Sequence, residues 1–326
     1  MKAIVYHAYG SPDVLRLAEV PKPTPKDNDV LIKIHATVVT PPDCAFRKGQ
    51  PRMARLFTGV LRPRTTILGD ALAGEVEAVG DGVRRFSPGD QVVASSGAGF
   101  GAHAEYICLP EDGALAAKPA TMTYDDAVAV ADGTLTALPF LRDKAQLQRG
   151  QTILVNGASG SVGTSAVQLA KQFGAKVTGV CSTANLELVR SLGADEVIDY
   201  TKDDFTQTGQ TYDVIFDAVG KSSFSRCKGA LNAGGIYLTT AATPAIVLQT
   251  LWTWKFGSKR ATVAFTGLRP ARAKAKDLLV LKELVESGAM RAVIDRRYPL
   301  EQTAEAHRYV DRGHKRGGVV ITMAQH

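Results

Sequence analysis

The run Thr152-Ile153-Leu154-Val155-Asn156 leads directly into Gly157-Ala158-Ser159-Gly160-Ser161-Val162-Gly163. It is an apolar segment of strand length followed by a glycine-rich turn, and Val162–Phe173 then carries apolar residues at helical spacing. Glycine at 160 allows backbone N–H groups to approach a pyrophosphate, to which the helix N-terminus presents unpaired donors and its positive dipole end. Gly163 allows the helix to pack closely on the strand. This context predicts a strand–turn–helix that binds a dinucleotide.

The glycine turn departs from the usual fingerprint at one position, because Ala158 stands where the first glycine is expected. An alternative is that the glycines serve only the geometry of the connection and bind nothing. We predict that the whole turn contacts the cofactor, namely Gly157, Ala158, Ser159, Gly160, Ser161, Val162 and Gly163.

Strand-like apolar runs alternate with helical stretches from about residue 121 onward. The runs are Thr152–Asn156, Lys176–Cys181, Glu196–Tyr200, Asp213–Asp217, Gly235–Thr240 and Ala261–Phe265. Strands that alternate with helices form right-handed βαβ units and a mostly parallel sheet. Six strands match the doubly wound dinucleotide fold, so we predict an α/β protein with a Rossmann domain over residues 121–267.

The two ends of the chain have a different pattern. Residues 1–120 contain short apolar or alternating runs separated by Pro, Gly and Asp, as in Pro21-Lys22-Pro23-Thr24-Pro25, which is typical of a β domain. Residues 268–326 begin with an amphipathic helix, Ala271–Ser287, and are too short for a third domain. We therefore expect residues 268–326 to complete the domain that residues 1–120 begin.

Composition is that of an ordinary globular protein, with 326 residues, 45% hydrophobic and 22% charged. That length suggests two domains. The net charge of +7 comes without a Lys/Arg-rich run, so it gives no reason to expect nucleic acid. The four cysteines are far apart, which argues against a zinc knuckle and does not indicate a disulfide framework. No apolar run has membrane-spanning length, and we predict a reduced, soluble, cytoplasmic protein.

The end of the second predicted Rossmann strand bears on the choice of cofactor. An acidic residue there would bind the ribose 2′-hydroxyl of NAD and repel the 2′-phosphate of NADP. The sequence instead reads Ser182-Thr183-Ala184-Asn185, and the first acid is Glu187. The small hydroxyl side chains leave room for a phosphate, and Arg190 lies one turn further on, so we predict NADPH. The alternative is that Ser182 or Thr183 only caps the following helix.

Short motifs occur in a fixed order along nearly the whole chain. They are Thr40-Pro41-Pro42-Asp43, Phe46-Arg47-Lys48-Gly49, Leu68-Gly69, Ala73–Gly80, Phe86–Val92, Ala104-Glu105-Tyr106, Thr136-Ala137-Leu138, Leu192–Asp195 and Asp217-Ala218-Val219-Gly220. Together with the glycine turn they resemble the medium-chain dehydrogenase/reductase superfamily, specifically its zinc-independent quinone oxidoreductase (zeta-crystallin-like) branch. The resemblance implies a GroES-like β domain built from both chain ends, with the Rossmann domain inserted between them.

The residues at the zinc positions of related enzymes differ here. Zinc-dependent relatives have a cysteine where this chain has Thr40, and Gly-His-Glu where it has Gly69-Asp70-Ala71. Their four-cysteine lobe is replaced by Ser95–Gly101. A hydroxyl and a lone carboxylate do not make a tight zinc site. We therefore predict no metal and, without a Lewis acid, no alcohol dehydrogenase activity.

Hydride transfer from a nicotinamide remains possible to acceptors that are already electrophilic, such as quinones and α,β-unsaturated carbonyls. Donors near the developing oxyanion would then be the main catalytic aid. The resemblance implies five candidates at the nicotinamide end: Thr40, Asp43, Arg47, Thr136 and Lys259. Zeta-crystallin-like relatives have a tyrosine at the position of Ala45, so here the proton is expected from water.

Each catalytic candidate except Thr40 has a structural alternative. Asp43 would serve equally as a helix cap, and Arg47 as an ion-pair partner. Thr136 would serve as a packing residue in a helix, and Lys259 with Arg260 as a solvated face before the sixth strand.

The resemblance also implies cofactor contacts beyond the turn, at the carboxyl ends of the strands. These are Ser182, Thr183, Asn185, Arg190, Tyr200, Val219, Gly220, Ala241, Ala242, Thr243, Gly267 and Leu268. The alternative for Tyr200 is a core position at the end of its strand.

We predict a metal-free, NADPH-dependent reductase of quinones or α,β-unsaturated carbonyls. The alternatives are an enoyl or 2-alkenal reductase of lipid metabolism and a non-catalytic NADPH-binding regulatory protein. The resemblance also implies a homodimer paired along the edge of the Rossmann sheet, which we assign to Gly235–Thr240.

Overall fold

The bounds of the regular elements follow the chain order. In residues 1–52 and 55–324, which the computed structural model describes, the strands are β1 Lys2–Val5, β2 Arg16–Glu19, β3 Asp29–Val38, β4 Ala71–Val79, β5 Gln91–Ser95, β6 Tyr106–Pro110, β7 Ala114–Ala117, β8 Thr152–Asn156, β9 Lys176–Cys181, β10 Glu196–Asp199, β11 Tyr212–Asp217, β12 Leu231–Thr239, β13 Arg260–Val263, β14 Ile294–Pro299 and β15 Gly318–Thr322. The helices are α1 Pro41–Arg47, α2 Arg55–Thr58, α3 Tyr124–Leu138, α4 Ser161–Gln172, α5 Leu186–Ser191, α6 Phe224–Cys227, α7 Pro244–Phe256, α8 Ala271–Glu286 and α9 Thr303–Asp311.

The chain divides into two units, one formed by Met1–Asp132 with Leu268–His326 and the other by Gly133–Gly267. The first boundary falls inside α3, whereas the sequence pattern places it at 120/121. The helix begins where the strand pattern ends, and its last turns pack with the second unit: a Cβ on Gly133 would lie 2.3 Å from the carbonyl oxygen of Ser161.

The second unit contains a parallel sheet of six strands in the order β10-β9-β8-β11-β12-β13. The central strand β8 is buried on both faces, with Ile153, Leu154 and Val155 all 0% exposed. A strand buried on both faces requires an uninterrupted apolar run, which is the pattern that the sequence shows. The predicted doubly wound Rossmann fold is confirmed.

The assignment of the sheet edge is wrong. Gly235–Thr239 belongs to β12, which pairs with β11 on one side and with β13 on the other. β13, the last strand of this sheet in the sequence, pairs with the outer side of β12 and forms one edge. β10 forms the opposite edge.

The first unit contains a seven-stranded sheet in which β14-β15-β3-β4-β5-β7 are neighbours and β6 also pairs with β3. Strand β15 comes from the end of the chain and lies between β14 and β3, parallel to the former and antiparallel to the latter. Its Ile321 joins Ile34 and Leu72 in one apolar core. Residues separated by most of the sequence therefore share this sheet.

Helix α7 packs against β13 and has three large exposed apolar residues, Leu248, Leu251 and Trp252. It has 13 residues. Over the described ranges, no helix has both the length and the apolar composition that a bilayer crossing requires.

Candidate functional site

The glycine turn is held against the neighbouring strand by its own backbone. The N–H groups of Gly157 and Ala158 both donate to the carbonyl oxygen of Val180, at 3.0 and 2.9 Å. Gly157 has φ +80°, and a Cβ there would lie 2.4 Å from Cγ1 of Val219. The position therefore requires glycine both for its backbone conformation and for the close approach of Val219, in the turn after β11.

Gly163 and Gly160 are glycines for different reasons. A Cβ on Gly163 would lie 2.1 Å from the carbonyl oxygen of Gly157, so the helix cannot approach the strand with any side chain there. A Cβ on Gly160 would meet, among described atoms, only the carbonyl oxygen of Gly157, at an ordinary 3.6 Å. Gly160 precedes α4 with φ −79°, and within the described chain no side chain caps that helix. The space above Gly160 is thus open to a ligand.

Asp217 holds several groups together by hydrogen bonds at the carboxyl end of β11. The sequence did not lead us to predict it as a functional residue. Its side chain is 0% exposed. It accepts hydrogen bonds from Asn156 Nδ2 at 2.9 Å, from the Gly220 and Ser222 N–H groups at 3.0 and 2.8 Å, and from the Tyr237 hydroxyl at 3.0 Å. It thereby fixes the turn that carries Val219 and Gly220. An acidic residue that ends an apolar strand was the available signal.

Tyr237 has a strongly raised pKa because it is buried and because the Asp217 carboxylate lies beside its hydroxyl. The phenol therefore remains a neutral donor to Asp217.

An acidic residue of another strand, Asp199, lies next to the end of β9, although it is 16 residues from Thr183 in the sequence. Thr183 Oγ1 donates to Asp199 Oδ2 at 2.5 Å, and Asp199 ends the adjacent strand β10. Hydroxyl hydrogen bonds from Thr183 and Thr201 lower the pKa of Asp199. Asn185 Nδ2 donates to Ser182 Oγ at 3.0 Å, and Arg190 pairs with Glu187 at 2.8 Å.

The structure does not support the alternative in which the side chain of Ser182 or Thr183 caps a helix. Ser182 precedes a 3₁₀ turn, and α5 begins after Asn185; in the part of the chain described here, neither start carries a side-chain cap bond.

The remaining predicted cofactor contacts follow the strands of the same sheet. Tyr200 directly follows β10 and is 52% exposed, so it is not a core residue. Val219 is 46% exposed after β11. The others are Ala241, Ala242 and Thr243 after β12 and Gly267 after β13, with Leu268 opening the next segment of the first unit. Because all six strands are parallel, these segments lie at the carboxyl edge, where open α/β sheets bind ligands.

Thr40 and Asp43 form a capping box at the start of α1. Asp43 Oδ2 accepts from the Thr40 N–H at 2.8 Å and from Thr40 Oγ1 at 2.6 Å. Its other oxygen accepts from the Gly69 N–H at 3.1 Å, and the residue is 1% exposed. The structural alternative for Asp43 is thus realised, and the bond to Gly69 was not foreseen.

Arg47 is buried at 0% exposure and also takes its structural alternative. Its Nη2 lies 2.6 Å from Asp311 Oδ2, and its Nε donates to the Gly10 carbonyl oxygen at 3.2 Å. Lys48 binds the other oxygen of the same carboxylate at 2.7 Å. Although burial alone would raise the pKa of Asp311, hydrogen bonds from Lys48 and Arg47 lower it overall.

Thr136 and Lys259 lie in the second unit. Thr136 is half-buried in α3. Lys259 precedes β13, at the amino end of the strand, and its Nζ donates to the Lys228 carbonyl oxygen at 2.8 Å. Lys259 therefore lies at the amino ends of the strands, whereas the predicted cofactor contacts lie at their carboxyl ends.

Asp70, at one of the zinc positions of related enzymes, belongs to a polar cluster. Its Oδ1 accepts from Ser95 Oγ and from the Gly97 N–H, both at 2.6 Å, and Lys274 Nζ donates to Ser95 Oγ at 3.2 Å. Burial raises the pKa of Asp70 although Lys274 acts against it. Among the residues with described positions, no three His, Cys, Asp or Glu side chains are grouped as metal ligands.

Cys44 of α1 lies in a buried group with His307 and His103. Cys44 Sγ lies 3.3 Å from His307 Nδ1, and the two imidazole rings meet edge to face at 5.7 Å. Burial raises the pKa of Cys44 and lowers that of His307 well below the usual value. The pair is therefore a thiol with a neutral imidazole and has no thiolate nucleophile.

Comparisons with known proteins agree with this architecture. A family model described as an alcohol dehydrogenase GroES-like domain matches residues 26–120, and one described as a zinc-binding dehydrogenase matches residues 192–321. A chloroplast envelope quinone oxidoreductase homolog of Arabidopsis thaliana is 34% identical over 98% of this chain and 98% of that protein. An NADPH-dependent alkenal/one oxidoreductase, also from Arabidopsis thaliana, is 34% identical over 98% of this chain and 79% of that protein.

A solved structure has the same fold. The quinone oxidoreductase of Escherichia coli complexed with NADPH superposes with a TM-score of 0.84 at 26% identity, covering 99% of this chain and 100% of that one.

The fold and the glycine turn define a dinucleotide-dependent oxidoreductase with a GroES-like sheet and a Rossmann sheet. With the relatives above, the chain belongs to the medium-chain dehydrogenase/reductase superfamily, in its quinone oxidoreductase branch. A nicotinamide cofactor is supported for it. One matching model is named for zinc-binding enzymes. In this chain, however, the Thr40 hydroxyl donates a hydrogen bond to Asp43, and Asp70 accepts one from Ser95. Thr40 and Asp70 therefore do not form a zinc ligand set.

Proposed function

We propose that the protein is a metal-free reductase that uses NADPH to reduce quinones or α,β-unsaturated carbonyls. The observation that carries this proposal is the turn at 157–163, which is closed at Gly163 and open at Gly160 beside a helix start without a side-chain cap in the described chain. A pyrophosphate fits this cradle. When bound, the cofactor supplies a hydride. Relatives named as quinone and alkenal/one oxidoreductases support this class of acceptor.

The residues of this chain position and orient the reactants. Asp217 holds the turn after β11, which places Val219 and Gly220 at the carboxyl end of the sheet, where we expect the cofactor. Thr40 and Asp43 fix the start of α1 and the Gly69 backbone, and Arg47 ties the end of α1 to Asp311. Thr136 remains a candidate contact, whereas Lys259 is omitted because it lies at the amino edge. Ala45 supplies no proton, so we assign the proton to water.

Steady-state kinetics test the proposal directly. NADPH oxidation is measured with a panel of naphthoquinones and enones, alongside fluorescence titration of NADPH. Saturable reduction of at least one acceptor supports the proposal. Tight NADPH binding without turnover would favour the non-catalytic alternative, and absence of binding at millimolar NADPH would contradict both.

A reductase specific for alkenals or enones is the second candidate, favoured by the relative of that name. Both candidates transfer hydride to a conjugated acceptor and differ in which acceptor is preferred. The ratio of kcat/KM for 2-alkenals to that for quinones separates them.

The preference for NADPH is tested at the end of β9. We expect Ser182→Asp to lower kcat/KM for NADPH by about tenfold or more, because a carboxylate there repels the 2′-phosphate and accepts from the NADH ribose hydroxyl. NADH should improve in the same variant. Ser191→Asp, on the exposed end of α5, is the matched control. If NADH already binds the wild-type protein as tightly as NADPH, the assignment is contradicted.

Homodimer formation and a cytoplasmic location complete the proposal. We place the contact with a second copy along β13, which is the edge strand of the sheet. Light scattering at several concentrations would detect the dimer. All four cysteines are free, as a reducing compartment requires. Since the Arabidopsis thaliana relative is named for the chloroplast envelope, imaging of a fluorescent fusion is the appropriate test of location.

A further inference from the structure

A cleft of about 470 Å³ opens beside β1, within the first unit. It is lined by His7, Arg62, Pro63, Arg64 and Thr66. Its volume is in the range of small-molecule sites. Three of these five side chains carry or can acquire a positive charge, so the cleft suits a ligand with negative charge.

The segment around the cleft has no acidic residue. Between Asp43 and Asp70 the sequence contains no Asp or Glu, and its basic residues are Arg47, Lys48, Arg52, Arg55, Arg62 and Arg64. Arg47 and Lys48 both pair with the single carboxylate of Asp311. For Arg62 and Arg64, the described chain provides no carboxylate within ion-pair distance. Their charges are therefore uncompensated at the cleft.

The walls of the cleft are fixed by backbone hydrogen bonds. The Tyr6 N–H donates to the Thr66 carbonyl oxygen at 2.9 Å, and the Arg64 N–H donates to the Thr58 carbonyl oxygen at 2.8 Å. The Tyr9 hydroxyl holds the same loop through the Gly59 carbonyl oxygen at 2.7 Å. The arginines thus project from a held loop, which reduces the entropy cost of binding.

The cleft belongs to the same unit as Thr40 and Asp43, which the resemblance places at the nicotinamide end. Thr66 leads within three residues to Gly69, whose N–H is held by Asp43. Tyr6, next to His7, is close enough to Asp43 to feel its charge: burial, then Tyr9, then Asp43 raise the pKa of Tyr6 to about 12. An acceptor that binds at the start of α1 therefore has the cleft within the same unit.

We propose that the cleft binds an oxyanion group of the acceptor, a carboxylate, sulfonate or phosphate, through Arg62 and Arg64. Guanidinium groups bind such groups through paired, charge-assisted hydrogen bonds. The inference rests on the proposed reductase function and narrows its acceptors to conjugated carbonyl compounds that carry a negative charge.

The test compares 1,4-naphthoquinone with its 2-sulfonate as acceptors. The readout is the ratio of kcat/KM for the sulfonate to that for the neutral quinone, at low and high salt. We expect the double variant Arg62→Gln/Arg64→Gln to lower this ratio by about tenfold, and high salt to lower it in the wild-type protein. Arg52→Gln, an exposed arginine of the same segment outside the cleft, is the matched control. An unchanged ratio in the double variant would overturn the proposal.

Inorganic phosphate distinguishes the source of the anion. Competitive inhibition against the sulfonate, lost in the double variant, supports the cleft as the acceptor's anion site. Phosphate binding with no effect of acceptor charge would overturn the substrate assignment and leave a site for free phosphate. If neither quinone is reduced, the proposed function fails, and calorimetric titration of phosphate into both proteins still decides whether the cleft binds an anion.

Discussion

Two glycines of one turn illustrate how single residues divide the work of folding and binding. Gly163 is required by the close contact of α4 with the Gly157 carbonyl oxygen, whereas Gly160 borders open space. We expect Gly163→Ala to destabilise the protein by about 1–3 kcal/mol, the usual cost of overpacking. We expect Gly160→Ala to keep its melting temperature and to weaken NADPH binding by about tenfold, because the methyl group occupies the approach of the pyrophosphate.

Thermal unfolding and NADPH titration of both glycine variants measure these effects. Equal losses of stability in the two would contradict the separation of roles. Unchanged NADPH affinity in Gly160→Ala would place the pyrophosphate elsewhere.

His307 gives the protein a predictable sensitivity to acid. Its pKa in the folded protein is well below the usual value, first because of burial and then because of the charges of His103, Arg47 and Lys48. The unfolded chain therefore binds an extra proton below about pH 6.5, and stability falls as the pH falls, by up to about 1.4 kcal/mol per pH unit. Urea unfolding from pH 7.5 to 5.5 measures this slope.

The variant His307→Gln isolates the contribution of this one imidazole. Its stability should depend less steeply on pH over the same interval, whereas His314→Gln, at an exposed position, should retain the wild-type slope. A wild-type slope in His307→Gln would assign the acid sensitivity to other groups.

At the scale of elements, α1 depends on the Asp43 carboxylate. Asp43→Asn replaces charge-assisted hydrogen bonds to Thr40 and Gly69 by weaker ones at a buried site. We expect a loss of about 1–3 kcal/mol in the free energy of unfolding. Asp112→Asn, at an exposed carboxylate, is the control and should change stability by less than about 0.5 kcal/mol. Wild-type stability with a large loss of kcat would instead assign Asp43 a direct role in chemistry.

Local pattern was sufficient for elements whose neighbours are close in sequence. The bounds of β8 and β9 coincide with the apolar runs that predicted them. The order of the strands in the sheet could not be predicted in the same way. β13 pairs with the outer side of β12, and the residues Gly235–Thr239 show no pattern that indicates a partner strand on each side. Edge position is a property of the sheet as a whole.

The site residues also fall into two groups, those that the local sequence predicts and those that depend on distant partners. The turn at 157–163 could be predicted because strand, glycines and helix are contiguous. Asp43 and Arg47 each had two interpretations, which were separated by partners that the local sequence does not contain: Gly69 for the first and Asp311 for the second. The contact of Asp199 with Thr183 was likewise hidden, since the two residues end different strands.

At the scale of the whole molecule, the first unit depends on the end of the chain. Val319, Val320 and Ile321 in β15 are at most 1% exposed, and each contributes about 1.5–3 kcal/mol through burial. Their combined contribution is a large share of the 5–15 kcal/mol by which proteins are stable. We expect a chain that ends at Gly317 to lose cooperative unfolding and resistance to protease.

A chain that ends at Ala324 is the control and should unfold like the full-length protein. The two truncations are compared by differential scanning calorimetry and limited trypsin digestion. A melting temperature for the shorter chain within a few degrees of the control would contradict the dependence on β15.

The insertion of β15 between β14 and β3 also sets an order of events on the ribosome. The six parallel strands are all translated by Val263, so the Rossmann sheet can close while the remaining codons are still being read. The sheet of the amino-terminal strands must wait for the last strand and keeps one side of β3 without β15 until then. Premature termination would therefore release a chain with a complete Rossmann sheet and an incomplete sheet in the first unit. A pause late in translation would hold the chain in the same state.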